Sequence, residues 1–172
     1  MILFKPETME KMEEKASSPC GLPAWVAQVP FVVLSTLDEQ GRPDSRAMLN
    51  LRNETLYPQM ADLYRAEKDP WAVYLTTNAS SEKMRQINRD SRASLYFFDG
   101  ETYRGCSLSG RIGPVDDPQI RRRAWGAGWE EYYPQGADSP DYVLLRFVPS
   151  RIGRYADLQK TTEEIPPRLS EK

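Results

Sequence analysis

Two short segments of the chain carry the residue types that could do chemistry. Residues 46–51 read Arg-Ala-Met-Leu-Asn-Leu, and residues 76–83 read Thr-Thr-Asn-Ala-Ser-Ser-Glu-Lys. In the second segment a strand ends and a helix begins, so hydroxyl groups, free N–H groups and a lysine would meet at the helix start. This combination is typical of a phosphate site. The plainer alternative is a capped helix, with Ser80 or Asn78 as the cap and Lys83 in solvent.

The composition excludes several other kinds of chemistry. The 172 residues contain no histidine, which excludes Ser-His-Asp and Cys-His catalytic pairs, His-ligated zinc and the usual proximal haem ligand. The chain has 23 basic and 25 acidic side chains, and its net charge of −2 offers no basic excess for nucleic-acid binding. We therefore expect neither a metal site nor a nucleic-acid partner.

The cysteines and the hydropathy pattern indicate the cellular compartment of the protein. Cys20 and Cys106 are too far apart in sequence for a redox CxxC pair, and we interpret them as reduced thiols. No apolar run approaches the ~20 residues needed to span a bilayer. The short apolar start of the chain precedes its charges, which is the wrong order for a signal peptide. The sequence thus predicts a cytoplasmic protein without membrane contact.

The hydrophobic pattern predicts a mainly β (α+β) fold. Strands are expected over residues 31–36, 45–51, 71–77, 93–98, 102–112, 142–147 and 152–155. Hairpin-length loops join most of them, with the strongest turn signal at Asp99-Gly100, so the sheet should be antiparallel. Helices are expected over residues 80–89 and from Asp117 to about Trp125, with one or two helical turns within residues 52–70.

The chain divides by composition into three parts. Residues 1–27 form an N-terminal helical lead-in, residues 28–157 a barrel-like domain, and residues 158–172 a charged, loose tail. The tail carries two adjacent carboxylates and a Pro-Pro pair, which disfavours an ordered strand.

Taken together, these segments resemble the FMN-binding split β-barrel family, which includes pyridoxamine 5′-phosphate oxidase and the smaller general-stress-protein-26-like proteins. The resemblance covers roughly residues 28–157. It rests on the order and spacing of residues 33–36, 41–43, 45–48, 76–78 with Ser81 and Lys83, 109–111 with 115–117, and 141–146 before Pro149.

The resemblance implies a split β-barrel that assembles as a homodimer with FMN at the interface. The dimer contact would include the strands near Arg46 and residues 93–98. By resemblance, Arg46 would contact the flavin or its phosphate, and Ala47, Met48 and Leu49 would pass under the ring edge. Thr76 and Thr77 would bind the ribityl–phosphate region, and Ser81 and Lys83 would bind the phosphate. A dianionic phosphate needs charged donors, and a flat ring needs apolar cover.

Four positions depart from the oxidase pattern. Glu82 stands where the oxidase has an arginine, Leu51 where its strand motif ends in lysine, Gly105 where a glutamine contacts the flavin, and Tyr155 where a tryptophan lies at the interface. The oxidase's C-terminal Arg-x-His motif cannot exist in a chain without histidine. The sequence therefore resembles the stress-protein branch, and we do not expect it to oxidise pyridoxamine 5′-phosphate.

The resemblance implies an FMN-binding, flavin-dependent oxidoreductase that acts on an unidentified small molecule, in which the flavin carries the electrons. No residue is assigned as a catalytic acid or base. Two alternatives remain open: a non-catalytic flavin-binding stress-response module, and a relative that binds the deazaflavin F420 in the same groove.

Two further clusters have a functional and a structural interpretation. Trp125, Trp129, Tyr132 and Tyr133 would either cover the flavin or pack in a core or interface. Arg121, Arg122 and Arg123 would either help neutralise a phosphate or form a solvated helix face.

Overall fold

One antiparallel sheet of seven strands curls into a half-barrel in the computed structural model, which describes residues 21–166. The strands are β1 (Phe31–Leu37), β2 (Pro43–Leu49), β3 (Val73–Asn78), β4 (Arg92–Asp99), β5 (Arg104–Pro114), β6 (Tyr142–Ala156) and β7 (Gln159–Glu164). The helices are α1 (Met60–Ala66), α2 (Glu82–Arg89) and α3 (Pro118–Arg123). Strand order along the sheet is β2-β1-β4-β5-β6-β3, and β7 also pairs with β6. The mainly β, antiparallel fold with a few short helices is confirmed.

Alternation of side chains along β1 separates an inner from an outer face. Val32, Leu34 and Thr36 are buried inside the half-barrel, while Phe31 and Val33 point outward. A strand exposes alternate residues to opposite faces, so the consecutive apolar residues 31–34 of β1 supply both a core and an exposed surface. Both faces matter for the site described below.

Two apolar clusters stabilise the fold. The first fills the half-barrel and includes Leu34, Met84, Leu95, Phe97, Leu108 and Phe147. The second lies against β3, β6, α1 and α3 and includes Leu51, Met60, Leu63, Tyr74, Trp129, Tyr133, Tyr142 and Leu144. Trp129 and Tyr133 are buried beside Tyr142, and the Tyr133 and Tyr142 rings meet edge to face at 5.2 Å. For these two aromatic residues, the structure shows core packing, while Tyr132 is 69% exposed.

The two late strands expected on either side of Pro149 are a single strand, β6, of 15 residues. Pro149 lies opposite Gly110, where the pairing register of β5 and β6 shifts between Ser109 and Gly110. A proline lacks the N–H that a regular ladder needs, and such an irregularity accommodates it. A Cβ at Gly110 would come within 2.6 Å of the Pro149 Cα, so glycine permits this close approach.

Residues 159–164, expected as part of a loose tail, form the strand β7. The connection from β6 is a two-residue turn in which Asp157 and Leu158 have φ angles of 51° and 61°. Turns of this type usually contain Asn-Gly or Asp-Gly, so Asp-Leu gave no turn signal in the sequence. The carboxylates of β7 pair with arginines of β6, at 3.5 Å for Arg151–Glu164 and 3.1 Å for Arg154–Glu163.

Several expectations concern the ends of the chain or individual residues. Of the expected lead-in, residues 1–20 lie outside the described residues, and Ala24–Ala27 form a 3-10 helix. Cys20 also lies outside them, whereas Cys106 is a buried free thiol whose pKa burial raises to about 12. Among the described helices none could span a bilayer, since the longest, α2, has eight residues.

A buried carboxylate ties the end of α1 to the sheet. Arg146 of β6 donates to both Glu67 oxygens at 2.8 Å, and the Tyr74 hydroxyl donates to Oε2 at 2.5 Å. The Asp69 N–H donates to Oε1 at 2.9 Å. Burial by itself would raise the pKa of Glu67, but the Arg146, Tyr74 and Asp69 hydrogen bonds outweigh it and lower the pKa to about 2.

This carboxylate should make stability depend on acid pH. The Glu67 contribution is fully present above the usual pKa of 4.5 and is lost as the pH falls toward the folded value of about 2. Glu67→Gln should lower the free energy of unfolding by about 2 kcal/mol at neutral pH. That difference from wild type should shrink steadily as the pH falls from about 5 to about 2. Urea unfolding over this range measures it.

The exposed carboxylate Glu39 provides the control, because Glu39→Gln should change the free energy of unfolding little at any pH. A difference between wild type and Glu67→Gln that stays constant with pH would contradict the assigned role of the Glu67 carboxylate.

Candidate functional site

The candidate site lies at a seam between the two ends of the sheet. β2 and β3 stand at opposite ends of the strand order, yet the curl of the sheet brings them into contact. α2 follows β3 directly and packs on β1 beside this seam. The segments that the sequence singled out, 46–51 and 76–83, therefore meet through the tertiary fold.

Arg46 reaches the seam, where its guanidinium is held by protein groups. Its Nη1 donates to the Thr36 hydroxyl at 2.5 Å and to the Leu34 carbonyl at 3.5 Å. Its Nη2 donates to Gln86 Oε1 at 3.0 Å and lies 2.6 Å from Asp44 Oδ2. An arginine has five N–H donors, and these contacts engage both terminal nitrogens. Arg46 is thus part of a polar network inside the fold.

Gln86 of α2 connects the members of this network, and sequence reasoning missed it. Its side chain is 4% exposed, and its Nε2 donates to Asp44 Oδ2 at 2.8 Å. Its Oε1 accepts from Arg46 and from the buried hydroxyl of Thr36. The one available signal was the two-residue spacing of Asp44 and Arg46, which places both on the same face of β2.

The Asp44 carboxylate is held in its charged form. The Gln86 hydrogen bond lowers the pKa of Asp44, burial opposes this, and the Arg46 charge and hydrogen bond lower the pKa further. Asp44 and Arg46 therefore form an ion pair of opposite, permanent charges at neutral pH.

Lys83 is a nearby cation that does not take part in this hydrogen-bond network. Its side chain is half-buried in the first turn of α2, and within residues 21–166 it makes no hydrogen bond or ion pair. Burial lowers the pKa of the Lys83 ammonium, the Arg46 charge lowers it further, and the Asp44 charge partly offsets both. A partly desolvated ammonium that forms no direct ion pair is stabilised when an anion binds it.

The start of α2 is not capped in the way that the plainer alternative required. Ser81 occupies the N-cap position without a side-chain capping bond. Asn78 and Ser80 instead bind Asp141, since the Asn78 amide donates to Oδ2 at 2.7 Å and the Ser80 N–H donates to Oδ1 at 2.8 Å. The capping alternative therefore does not describe this turn. Asp141 fixes the turn while leaving the first N–H groups of the helix without a side-chain cap.

Two hydroxyl groups meet at the turn that precedes Lys83. Thr77 is buried at the end of β3, and its Oγ1 lies 3.3 Å from the Ser81 hydroxyl. Thr76, its neighbour in β3, is partly exposed. The strand-to-helix turn thus brings Thr77 to Ser81, two residues before Lys83, and hydroxyl donors at such a turn suit an anion.

The three apolar residues of β2 that were expected under a flavin ring separate between the two faces. Met48 is 8% exposed and packs in the first core, whereas Ala47 and Leu49 point outward. There they join exposed apolar residues of neighbouring strands. We call this surface the outer apolar face and define it as Phe31, Val33, Ala47, Leu49, Tyr96 and Phe98.

Each of the four departures from the oxidase pattern has a local explanation. Glu82 pairs with Arg85 on the same helix, and Leu51 is fully buried in the second core. Gly105 and Tyr155 are paired directly across β5 and β6. The Tyr96 ring lies over Gly105, where a Cβ would come within 3.0 Å of the Tyr96 Cζ. A side chain at position 105 would have to displace Tyr96.

The arginines of α3 serve the fold. Arg121 donates to the Tyr142 carbonyl at 2.7 Å, and Arg122 pairs with Asp138 at 2.9 Å. Arg123 is exposed. None of these contacts reaches the seam.

Comparison with known proteins agrees with this geometry. The family model described as pyridoxamine 5′-phosphate oxidase matches residues 22–155, and the chain belongs to this family. A search of curated proteins gives no match.

Solved structures place the chain near the stress-protein members of this family. A protein related to general stress protein 26 of B. subtilis, from Clostridium acetobutylicum, is 28% identical with a TM-score of 0.65, over 81% of this chain and 89% of that one. A pyridoxamine 5′-phosphate oxidase-related, FMN binding protein from Nostoc punctiforme is 16% identical with a TM-score of 0.51, over 84% and 89%. A heme binding protein from Mycobacterium smegmatis is 16% identical with a TM-score of 0.58, over 81% and 55%.

Removal of the Gln86 amide should destabilise the protein. Gln86→Met keeps the length of the side chain but leaves Asp44 and Arg46 each without one hydrogen bond, and we expect a loss of about 1–3 kcal/mol in the free energy of unfolding. Gln119→Met on the exposed side of α3 is the matched control and should cost less than about 0.5 kcal/mol. Equal losses in urea unfolding would show that the network contributes nothing.

Proposed function

We propose that this protein binds FMN at the seam, with the phosphate on Lys83 and the first turn of α2. The observation that carries the proposal is the half-buried Lys83 side chain, which forms no ion pair or hydrogen bond among the described residues. A phosphate would supply a partner of opposite charge, and a charge-assisted hydrogen bond is stronger than a neutral one. The Thr77 and Ser81 hydroxyls and the uncapped N–H groups of α2 add the remaining donors.

The other parts of a flavin fit the surfaces beside the seam. Ala47 and Leu49 offer an apolar floor on the outer face of β2, beside Arg46 in sequence, and Thr76 directly precedes the phosphate donor Thr77 in β3. A planar ring is held by such apolar cover, while a few polar groups fix its orientation. In this arrangement the Arg46 guanidinium keeps its hydrogen bonds and ion pair within the protein. It acts on the flavin phosphate only through its positive charge.

Bound FMN would supply electron transfer between a donor and an acceptor. The protein's own contribution is to position the ring and to exclude water from it. We propose a flavin-dependent oxidoreductase of the cytoplasm that acts on a small molecule. A non-catalytic flavin-binding protein would use the same residues, and turnover with NADPH and an electron acceptor separates the two.

A flavin suits the chain better than haem does. The heme binding neighbour is too distant in sequence to share more than the fold. Histidine is the usual proximal ligand of haem iron, and this sequence has none.

We further propose that a second copy of the chain covers the outer apolar face. Phe31 and Phe98 are 57% and 49% exposed there, and Val33 and Tyr96, two residues away along β1 and β4, are directly paired. Large exposed apolar surfaces mark interaction sites, and the core of a dimer interface is rich in aromatic residues. The same face includes the ring floor at Ala47 and Leu49, so the partner would also shield the flavin.

The phosphate assignment predicts a selective effect of Lys83. Lys83→Gln should weaken FMN binding by about tenfold to a hundredfold, as expected for one charge-assisted contact. Binding of riboflavin, which lacks the phosphate, should be nearly unchanged. Fluorescence titration of both flavins measures the two affinities.

Arg85 gives the matched control, since it lies on the same helix, carries the same charge and pairs with exposed Glu82. Arg85→Gln should leave both affinities close to wild type. If Lys83→Gln weakened both flavins equally, the phosphate would lie elsewhere. If neither flavin bound the wild-type protein, the proposed function would be wrong.

The dimer is tested by placing a charge on the outer apolar face. Wild type should scatter light as a particle of twice 19.7 kDa at micromolar concentration. Phe98→Asp should shift it to a monomer, because an unpaired charge would be buried in the interface. Leu56→Asp, at a 52% exposed position outside this face, should stay dimeric. A monomeric wild type, or equal behaviour of the two variants, would contradict the proposal.

A further inference from the structure

We infer that the open edge of β7 pairs with the same edge of a second copy of the chain, antiparallel and centred on Thr162, so that Lys160 of each copy faces Glu164 of the other. This edge lies apart from the seam and from the outer apolar face, because β5 and β6 separate β7 from β4 in the strand order. The inference therefore stands whether or not the protein binds a flavin.

β7 is an edge strand whose outer side is open. It pairs with β6 alone among the described strands, and all six of its residues are exposed. An edge strand presents a row of unpaired N–H and C=O groups, which is a template for pairing with another chain. Pro166 follows shortly after β7 and cannot donate to a ladder, so the row of open groups is short and has a defined end.

The pairing with β6 determines which backbone groups are open. Directly after β7, the Ile165 N–H donates to the Ser150 carbonyl of β6 at 2.7 Å. Hydrogen-bonded positions alternate along an antiparallel pair, so the odd-numbered residues of β7 direct their N–H and C=O groups toward β6. The even-numbered residues direct theirs to the open side, and these are Lys160, Thr162 and Glu164.

The side chains of these three residues share one face of the sheet. They stand opposite Tyr155, Gly153 and Arg151 of β6. Glu164 lies 3.5 Å from Arg151, whereas Lys160 forms no ion pair among the described residues. The strand thus carries a positive and a negative side chain on one face, with a threonine midway between them.

Two-fold symmetry selects the register of the contact. When two identical edges pair antiparallel in one sheet, the axis is normal to the sheet, so each side chain keeps its face. Centring on Thr162 pairs this residue with its own copy and places Lys160 opposite Glu164 at both ends, where opposite charges stabilise a cross-strand pair. Centring on Thr161 would place Lys160 opposite Thr162 and Glu164 opposite Leu158, which leaves both charges unmatched.

This charge complementarity makes a second copy the occupant that the edge fits. Arg151, Glu164 and the partner's Lys160 would alternate in sign across the contact. A two-fold contact uses both open edges, so it closes after two chains. Because a contact between two short strands is small, the association should be weak, and it should weaken further as salt screens the ion pairs.

The experiment uses two complementary variants, Lys160→Glu and Glu164→Lys, each combined with Phe98→Asp to block the outer apolar face. Alone, each variant places like charges opposite each other at both ends of the contact. Mixed one to one, they form two opposite-charge pairs, since the acidic edge of one variant faces the basic edge of the other. Sedimentation velocity at chain concentrations up to about 1 mM measures the association.

The parent variant Phe98→Asp should self-associate in this concentration range, and the mixture should do so with a similar dissociation constant. Each charge variant alone should associate about tenfold more weakly than the mixture, because like-charge pairs replace opposite-charge pairs at exposed positions. Glu39→Lys in the same background is the matched control, since it changes an exposed charge outside β7, and it should associate like the parent.

A parent that stays monomeric at about 1 mM would overturn the inference. So would equal association of the two charge variants alone and in the mixture. If Phe98→Asp were still dimeric at micromolar concentration, the proposed contact at the outer apolar face would be wrong, and the same comparison would then measure the association of dimers.

A second pair of variants in the same background tests the backbone ladder. Thr162→Pro removes the central open N–H without removing a hydrogen bond to β6, so it should abolish the association. Thr162→Val keeps this N–H and should associate like the parent. Hydrogen exchange of the β6 and β7 amides shows whether the hairpin stays folded. Association of a folded Thr162→Pro at the parent level would contradict the inference, and if the hairpin unfolded, the charge variants would still decide.

Discussion

The buried amide of Gln86 is the contact on which the arrangement of the seam depends. It joins Thr36 of β1, Asp44 and Arg46 of β2, and the helix α2 that carries it. A buried arginine is tolerated only when its donors and its charge are satisfied, and Gln86 and Asp44 satisfy both terminal nitrogens together with Thr36. Because α2 is fixed in this way, Lys83 one turn earlier is fixed as well.

Side chains of β1 and β2 alternate between the two faces of the sheet, and the two faces have different roles. Inward residues build the core and, at Asp44 and Arg46, the polar network. Outward residues such as Ala47 and Leu49 form an apolar surface at the same strand edge. A ligand that reaches around the β2 end of the sheet would therefore meet charge on one face and apolar cover on the other, which is the division that a flavin phosphate and a flavin ring require.

Local patterns were sufficient to predict much of the fold. Alternation predicted β1, the Asp99-Gly100 signal predicted the hairpin of β4 and β5, and hydroxyl residues before Lys83 predicted the strand-to-helix turn. Contacts between distant segments could not be predicted from local sequence patterns. Gln86 lies 40 residues from Arg46, and nothing local distinguishes it from an exposed helical glutamine.

The errors have similar causes. Pro149 indicated a strand break because a proline lacks the N–H that a regular ladder needs. The shifted register opposite Gly110 accommodates this proline, and that register depends on residues of another strand, β5. The strand β7 was missed because its residues are all exposed and its turn lacks glycine, so only pairing with the β6 arginines reveals it. The assignment of Arg46 as a ligand came from the family resemblance and stays a prediction, while the hydrogen bonds and the ion pair that Arg46 makes within the protein are visible only in three dimensions.

The central claim is that Lys83 receives the phosphate of a flavin. Nuclear magnetic resonance of the lysine side-chain nitrogens, followed during titration with FMN and then with riboflavin, observes this contact directly. The account predicts that the Lys83 Nζ resonance shifts with FMN and stays in place with riboflavin, while the exposed Lys68 stays in place with both. Binding of FMN without any change at Lys83 would contradict it.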